Sequence, residues 1–323
     1  MLYRFTALTT SSPALGTTRT NVLPCLNVIL YSVLLVALLG TASLGRAQTL
    51  KFGIQAGLNV STMLAESEKD ASGNNLETNS FVTGFQVGPV MDLLLVPNFG
   101  LEANLLYSQK GTRYKYEGAG SYTFINSSGS KFPTTGKSRV IINVSNGYID
   151  LPIMAYYKLT SNLKISGGVN VAVLVSSEGN GEWLYQGAKF ASGDYLKNDV
   201  AFTLTQNYFR DKAGEISESR TDVTTHNGDK ISVPTSLNAY STIPSRSASR
   251  YNSFDFGAVL GVAWVFNSGL QFGIRGNYSL ADITANELDN SYQNNVGAPT
   301  YAPTNRPIDV RNLSLQAQIG FRF

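Results

Sequence analysis

The last segment of the chain, from Arg311 to Phe323, constrains the fold more than any other. A period of two in hydrophobicity describes one β-strand with an apolar and a polar face. The segment has the roughly ten residues that a tilted strand needs to cross a bilayer, although a soluble β-sandwich strand would alternate in the same way. Its apolar positions are Leu313, Leu315, Ala317, Ile319, Phe321 and Phe323, and its polar positions are Asn312, Ser314, Gln316, Gln318, Gly320 and Arg322.

The N-terminal segment has the pattern of a secretory signal peptide. The residues from Asn27 to Leu44 are almost all apolar, and the small residues Gly45 and Ala47 follow. This pattern fits cleavage after Ala47. An uncleaved anchor helix is the alternative, because this apolar run just reaches the length that spans a bilayer. We predict a signal peptide at 1–47 and an outer-membrane β-barrel domain at 48–323.

The charge balance after the leader argues against a nucleic-acid partner. The leader holds Arg4, Arg19 and Arg46 and no acidic residue, so 25 basic residues less these three leaves 22, equal to the 22 acidic residues. No basic excess remains in the part that folds. The single cysteine, Cys25, also lies in the leader, so no thiol remains for a disulfide or a Cys-based metal site.

Seven further segments alternate like the last one. They predict strands at 51–59, 81–95, 99–108, 140–159, 163–175, 251–266 and 270–280. Long polar connections are predicted at 61–80, 110–137, 176–250 and 282–309, and short turns at 97–98, 160–162 and 267–269. Pro152 removes a backbone donor from the fourth strand, so we expect a bulge or local kink there.

The order of the connections is long, short, long, short, long, short, long. Eight antiparallel strands joined in this way place both ends of the domain and all short turns at one end, the periplasmic one, and the long loops at the extracellular end. A sheet in lipid must also close, because an open edge would leave backbone groups without partners. The sequence therefore predicts an all-β fold, a closed antiparallel transmembrane β-barrel of eight strands. A barrel of ten strands that uses 200–209 is the alternative.

Aromatic residues on the apolar faces cluster near the short turns, as in the aromatic girdle of a membrane interface. They are Phe52, Phe99, Tyr157, Trp264, Phe266, Phe272 and Phe323. The terminal strand, with Leu313, Leu315, Ile319, Phe321 and Phe323 on its apolar face, resembles the last strand of bacterial outer-membrane barrels, which the barrel-assembly machinery reads. We therefore expect the outer membrane of a Gram-negative bacterium as the location, after cleavage near Ala47.

Two motifs carry a resemblance to a family. The stretch 148–158, YIDLPIMAYYK, resembles the fourth-strand signature of the PorT-like outer-membrane barrels of Bacteroidetes. FDFGAVLG at 254–261 and GLQFGIR at 269–275 resemble that family's closing hairpin, although Gly276 follows where the family often has an aromatic residue. The resemblance implies a small outer-membrane barrel over residues 51–323. One family member assists secretion of cargo, and most members have no assigned activity.

Charged residues of both signs occur on the inward face. We predict a buried polar network in the lumen made of Glu102, Asp150, Lys158, Lys164, Asp255 and Arg275, with Lys51, Asp92 and Arg322 also facing inward. Eight-stranded barrels are just narrow enough to be filled by side chains. A conducting pore is the alternative. Arg275 is expected to pair with Glu102, Asp150 or Asp255, because a buried guanidinium without a partner is costly.

The long loops offer little chemistry. His226, the only histidine, has Asp222 and Asp229 nearby in sequence, but nothing positions them as a catalytic group. No metal-ligand or phosphate-binding spacing is present, so we predict no enzyme activity, cofactor or metal. Aromatic residues of the loops serve either as contact residues for a partner or as packing between loops. They are Tyr114, Tyr116, Tyr122, Phe124, Trp183, Tyr185, Phe190, Tyr195, Phe209, Tyr292 and Tyr301.

The sequence as a whole favours a non-enzymatic outer-membrane barrel with an interaction or structural role. Its expected partners are outer-membrane lipid, the barrel-assembly machinery, and a protein or glycan at the extracellular loops. The resemblance adds an association with secretion. A narrow diffusion channel is the alternative function.

Overall fold

The computed structural model describes residues 49–125, 130–214, 217–241, 249–285, 288–291 and 304–323. The predicted signal peptide therefore lies outside the described residues, as do Tyr292 and Tyr301. The strands are β1 (Thr49–Leu64), β2 (Glu77–Ser80), β3 (Val82–Val96), β4 (Phe99–Asn104), β5 (Leu106–Ile125), β6 (Lys131–Lys158), β7 (Leu163–Phe190), β8 (Val200–Asn207), β9 (Arg220–Thr224), β10 (Lys230–Pro234), β11 (Ser236–Leu237), β12 (Phe254–Val265), β13 (Leu270–Ser279), β14 (Asn290–Ser291), β15 (Thr304–Asn305) and β16 (Arg311–Arg322). In the described part of the chain, no helix has the length and apolar character to cross a membrane.

A closed ring of eight antiparallel strands forms the body of the protein, and each strand of this ring is called a wall. Its order is β1, β3, β4 continued by β5, β6, β7, β12, β13 and β16, and β16 then pairs with β1. The closing pairs run from Gly53 with Arg322 to Leu64 with Arg311. The prediction of an eight-stranded closed barrel is confirmed. The ten-stranded alternative is wrong, because β8 pairs with a part of β7 that lies beyond the ring.

The three short turns lie together at one end of the ring, as predicted. Asn98 has a φ of 74° and Gly269 a φ of 89°, the left-handed conformation that Asn and Gly adopt most readily. In the turn at 160–162, the hydroxyl of Thr160 accepts a hydrogen bond of 3.0 Å from the backbone N–H of Leu163. These local bonds let neighbouring walls reverse direction within a few residues.

The two faces of each wall follow the period of two. The apolar side chains at the short-turn end, from Phe52 to Phe323, point outward and are all exposed. On β16, Leu315, Ile319 and Phe321 are exposed, whereas Ser314 and Gln316 are buried. Since outward positions are apolar and inward positions polar, the solvent that suits the outer face is lipid.

The predicted loop at 110–137 and the first part of the predicted loop at 176–250 are wrong. β5 continues to Ile125, β6 begins at Lys131, and β7 continues to Phe190. The cause is visible in the alternation of burial: Tyr116, Tyr122 and Phe124 are buried while the residues between them are more exposed. The Gly- and Ser-rich composition indicated a loop, but alternating aromatic residues stabilise strands there.

The extended parts of β5, β6 and β7 form a sheet beyond the barrel. On β7 the pairing with β12 ends at Val173, and on β5 the pairing with β3 ends at Ser108. Past these points the three strands pair with one another, and β2 and β8 add to the two edges. We call this the distal sheet. Strand β8 (Val200–Asn207) therefore belongs to this sheet and not to the ring.

Pro152 interrupts one ladder without causing a bulge. β4 ends at Asn104 and β5 begins at Leu106, yet the pairs Ala103–Ile153 and Leu106–Asp150 on either side keep the same register. The irregularity predicted at Pro152 is therefore smaller than expected. A register shift between β6 and β7 occurs instead between Gly147 and Tyr148.

Candidate functional site

A first ion-pair cluster fills the lumen near the short turns. Lys164 Nζ lies 2.5 Å from Glu102 Oε2 and 3.5 Å from Asp92 Oδ2, and Arg322 Nη2 lies 3.6 Å from Glu102 Oε1. The hydroxyl of Tyr156 donates to Asp92 at 2.5 Å, and its ring centroid lies 4.8 Å from Lys164 Nζ. The side chains of Glu102 and Lys164 are only 2% and 3% exposed, so the pair is shielded from water.

A second cluster lies at the middle of the ring. Lys110 Nζ lies 2.8 Å from Asp150 Oδ1, and Asn170 Nδ2 donates to the same oxygen at 3.2 Å. Lys110 Nζ also lies 4.9 Å from the centroid of the Tyr148 ring. Sequence reasoning missed Lys110 because it assigned this residue to a loop. The signal was present, since Lys110 has the same parity along the strand as the inward residue Ser108.

Arg275 is buried, but the predicted ion pair with a carboxylate is wrong. Its Nε donates to Gln316 Oε1 at 2.8 Å and its Nη2 donates to Gln86 Oε1 at 3.1 Å. In the described part of the chain, no carboxylate lies within ion-pair distance of Arg275. The carboxylates of Glu102 and Asp150 already bind Lys164 and Lys110, which leaves neutral amides as the partners of this guanidinium.

Asp255 and Lys158 also depart from the predicted network. Asp255 Oδ2 accepts from Ser279 at 2.8 Å and from Asn312 at 3.0 Å, and no cation of the described ranges pairs with it. Lys158 is half-buried and joins no ion pair there. It lies beside the first short turn, where its backbone N–H donates to Asn98 O at 2.7 Å. Lys51 is exposed. Both lysines therefore sit at the mouth of the ring.

The distal sheet holds much of the hydrophobic core, which continues into the ring at Tyr148 and Ala172. The Tyr122 ring lies edge-on to the Trp183 ring, with centroids 5.4 Å apart, and 4.9 Å from the Phe202 ring. Trp183 Nε1 donates to Ser138 Oγ at 3.1 Å, so its polar atom is satisfied. Burial raises the pKa of the Tyr122 hydroxyl. Ile231 and Val233 belong to the same core.

Most aromatic residues of the predicted loops therefore pack against one another. Tyr116, Phe124 and Tyr185 are fully buried, and Trp183 is nearly so. Among the described members of this set, Tyr195 is the exposed exception. Its hydroxyl lies 2.9 Å from His226 Nδ1, and the two rings stack with centroids 4.7 Å apart. No carboxylate hydrogen-bonds to the imidazole within the described ranges, so Asp222 and Asp229 do not form a catalytic pair with it.

Metal chemistry finds no support in the described ranges. No group of three or more His, Cys, Asp or Glu side chains there is placed to hold a metal ion. The features that remain are a lumen packed with polar side chains and a rigid sheet beyond the rim.

Comparison with known proteins agrees with this architecture. Residues 46–285, about three quarters of the chain, match the family described as "Outer membrane protein beta-barrel domain". The chain belongs to this outer-membrane barrel family. Its lipid-facing wall accordingly lies in the outer membrane of a Gram-negative bacterium.

Several solved outer-membrane barrels are similar to this one. Ail of Yersinia pestis, in complex with the heparin analogue sucrose octasulfate, is 10% identical, with 85% of this chain and 99% of that chain covered and a TM-score of 0.33. OprG of Pseudomonas aeruginosa is 11% identical, with 86% and 97% covered and a TM-score of 0.32. Neisserial surface protein A is 12% identical, with 84% and 97% covered and a TM-score of 0.27. No curated protein matches the chain.

Proposed function

We propose that this outer-membrane barrel is a non-enzymatic surface protein whose distal sheet and adjoining loops bind a protein or glycan partner. The observation that carries the proposal is the distal sheet. β6 and β7 have 28 residues each, whereas a tilted strand crosses a bilayer with about ten. The additional length builds a sheet with a buried aromatic core outside the lipid, which a barrel that only spans the membrane does not need.

The lumen supports this role over that of a diffusion channel. Two ion-pair clusters, around Glu102 and around Asp150, cross the interior at different heights and are almost fully buried. The rings of Tyr148 and Tyr156 add bulk beside them. A polar network that fills a narrow barrel rigidifies it and favours a closed lumen over an open water path.

The outward face of the distal sheet is suited to a polar partner. Arg113, Lys137 and Arg139 are exposed there, and Lys115 pairs with the exposed Glu117 at 2.7 Å. Charged groups on a flat, rigid surface favour recognition of acidic or hydroxyl-rich surfaces. The exposed Tyr195 adds an aromatic contact residue at the tip.

The resemblance to the PorT-like barrels of Bacteroidetes supplies a more specific hypothesis. The motif at 148–158 forms part of β6, and its inward residues Tyr148, Asp150 and Tyr156 belong to the two lumen clusters. On this hypothesis the partner belongs to a secretion system. Loss of secreted cargo in a deletion strain, restored by the parent chain, would support it.

Conductance in a planar bilayer is the decisive test of the main proposal. Protein purified from outer membranes is expected to show no steady single-channel openings. A chain with the exposed residues Arg113, Lys137 and Arg139 replaced by Glu should lose its partner in a pull-down from outer membranes, while Lys158→Glu, at the opposite mouth, should keep it. Steady openings, or identical capture by both variants, would contradict the proposed function.

Processing and assembly complete the proposal. The mature protein is expected to begin at Gln48, which N-terminal sequencing of the outer-membrane form checks. The barrel-assembly machinery is expected to read β16 through its outward residues Leu313, Leu315, Ile319, Phe321 and Phe323. Deleting Phe323 should lower the amount of folded protein in the outer membrane. The molecules that do fold should keep the unfolding midpoint of the parent.

A further inference from the structure

The lumen contains a group of buried donors that the protein itself leaves without partners. Nη1 of Arg275, Nε and Nη1 of Arg322, and Nε2 of Gln86 are all buried and find no hydrogen-bond acceptor among the described residues. The amide of Gln86 is oriented by its other end, because its Oε1 accepts from Arg275 Nη2. All four atoms are N–H donors, and two of the three side chains carry a positive charge.

Two glycines leave room for two of these donors. A Cβ added to Gly57 would lie 3.1 Å from Gln86 Nε2, and a Cβ added to Gly320 would lie 2.7 Å from Arg322 Nη1. Gly57 on β1 pairs with Gln318, and Gly320 on β16 pairs with Gln55, so the two glycines lie on neighbouring strands at nearly the same level of the barrel. The absence of side chains at both positions gives the amide and the guanidinium their place.

Arg275 has no carboxylate in contact within the described part of the lumen. Asp92 and Glu102 are shared by Lys164 and Arg322, and Asp150 is bound by Lys110. Asp255 lies on β12 six residues beyond Gly261, the residue opposite Arg275, and binds Ser279 and Asn312 instead. The buried guanidinium of Arg275 therefore has no counter-charge beside it, which a buried charge of this kind needs.

We propose that the lumen binds one small inorganic anion, chloride being the cellular candidate, between the guanidinium groups of Arg275 and Arg322 and the amide of Gln86. The anion accepts hydrogen bonds from the N–H groups that have no other partner and supplies the counter-charge that Arg275 lacks. Its enclosure by residues that are at most 5% exposed favours a monatomic anion over a larger one. The site is independent of the proposed partner at the distal sheet.

The test compares unfolding in chloride and in gluconate at equal ionic strength. Full-length protein is refolded in each salt, and the urea midpoint is read from the gel shift between folded and heat-unfolded forms. Chloride at ten times its dissociation constant should raise the ratio of folded to unfolded protein about tenfold. Arg275→Gln should unfold at one midpoint in both salts, whereas Arg113→Gln, an exposed arginine of the distal sheet, should keep the chloride effect.

Equal midpoints of the parent in the two salts, or a chloride effect that survives Arg275→Gln, would overturn the proposal. In that case, water accepts hydrogen bonds from the N–H groups that have no partner in the protein. Should Arg275→Gln fail to fold, crystals of the parent grown in bromide decide the matter. An anomalous peak beside Arg275 Nη1 supports the site, and its absence refutes it.

Discussion

Replacement of Glu102 by Gln tests whether the lumen is a closed, dry network. The carboxylate accepts from Lys164 at 2.5 Å and from Asn104 at 3.0 Å, and Arg322 lies 3.6 Å away. Glu102→Gln keeps the shape of the side chain but removes the charge that both cations face. Breaking one side of a buried ion pair costs about 3–5 kcal/mol, and we expect the low end because Lys164 keeps Asp92 at 3.5 Å.

The measurement is the urea midpoint of the gel shift between folded and heat-unfolded protein. With an m value of about 2 kcal/mol/M, a loss of about 3 kcal/mol lowers the midpoint by roughly 1.5 M. Glu117→Gln is the matched control, because its pair with Lys115 at 2.7 Å is largely exposed and should contribute nothing measurable. Adding Lys164→Met to Glu102→Gln should restore part of the loss, since Lys164 is then no longer a buried cation without that carboxylate, and Arg322 alone keeps the deficit.

Equal midpoints for Glu102→Gln and Glu117→Gln would refute this reasoning. The charges of the lumen would then be solvated, and the interior would hold enough water to support a conducting pore. A double variant less stable than Glu102→Gln alone would show that Lys164 stabilises the barrel by packing rather than through its charge.

Three further predictions address the region beyond the rim. Burial raises the pKa of Asp289 above its ordinary value of 3.8. The contribution of this carboxyl to stability is therefore full below pH 3.8 and is lost as the pH rises through the higher pKa of the folded state. Asp289→Asn should remove the pH-dependent weakening of hydrogen-exchange protection at Ile283 and Thr284. Trp183→Ala should weaken the core of the distal sheet by about 3–5 kcal/mol and raise protease sensitivity in 176–250, while the gel shift of the barrel persists. Protease added to intact cells should cut within 176–250, at exposed turns such as 226–229, and spare 97–98 and 160–162; cutting at the latter would invert the orientation.

The barrel was predictable because its signal is local and repeated. The alternation of polar and apolar residues appears in every wall, and short turns join three pairs of walls. Most of the inward charges were identified for the same reason. The two faces of a strand differ by a single residue step, so parity alone assigns a side chain to lipid or lumen.

The partners within the lumen were not predictable from the sequence. Which carboxylate pairs with which cation depends on the stagger of strands across the ring. This stagger places Glu102 beside Lys164 and Asp150 beside Lys110. The distal sheet was missed because Gly- and Ser-rich composition was weighted above the aromatic alternation of 110–125.

The seam between β1 and β16 governs the kinetics of folding. Most other neighbouring walls are joined by a turn or loop within a hairpin, so their pairing brings together residues close in sequence. The seam instead joins residues about 250 positions apart, from Gly53 with Arg322 to Leu64 with Arg311. The entropy of closing so long a chain segment delays this contact, as high contact order slows folding in general. The free edges of β1 and β13 stay open until β16 pairs with them. The arrival of β16 therefore sets the rate of closure in the membrane.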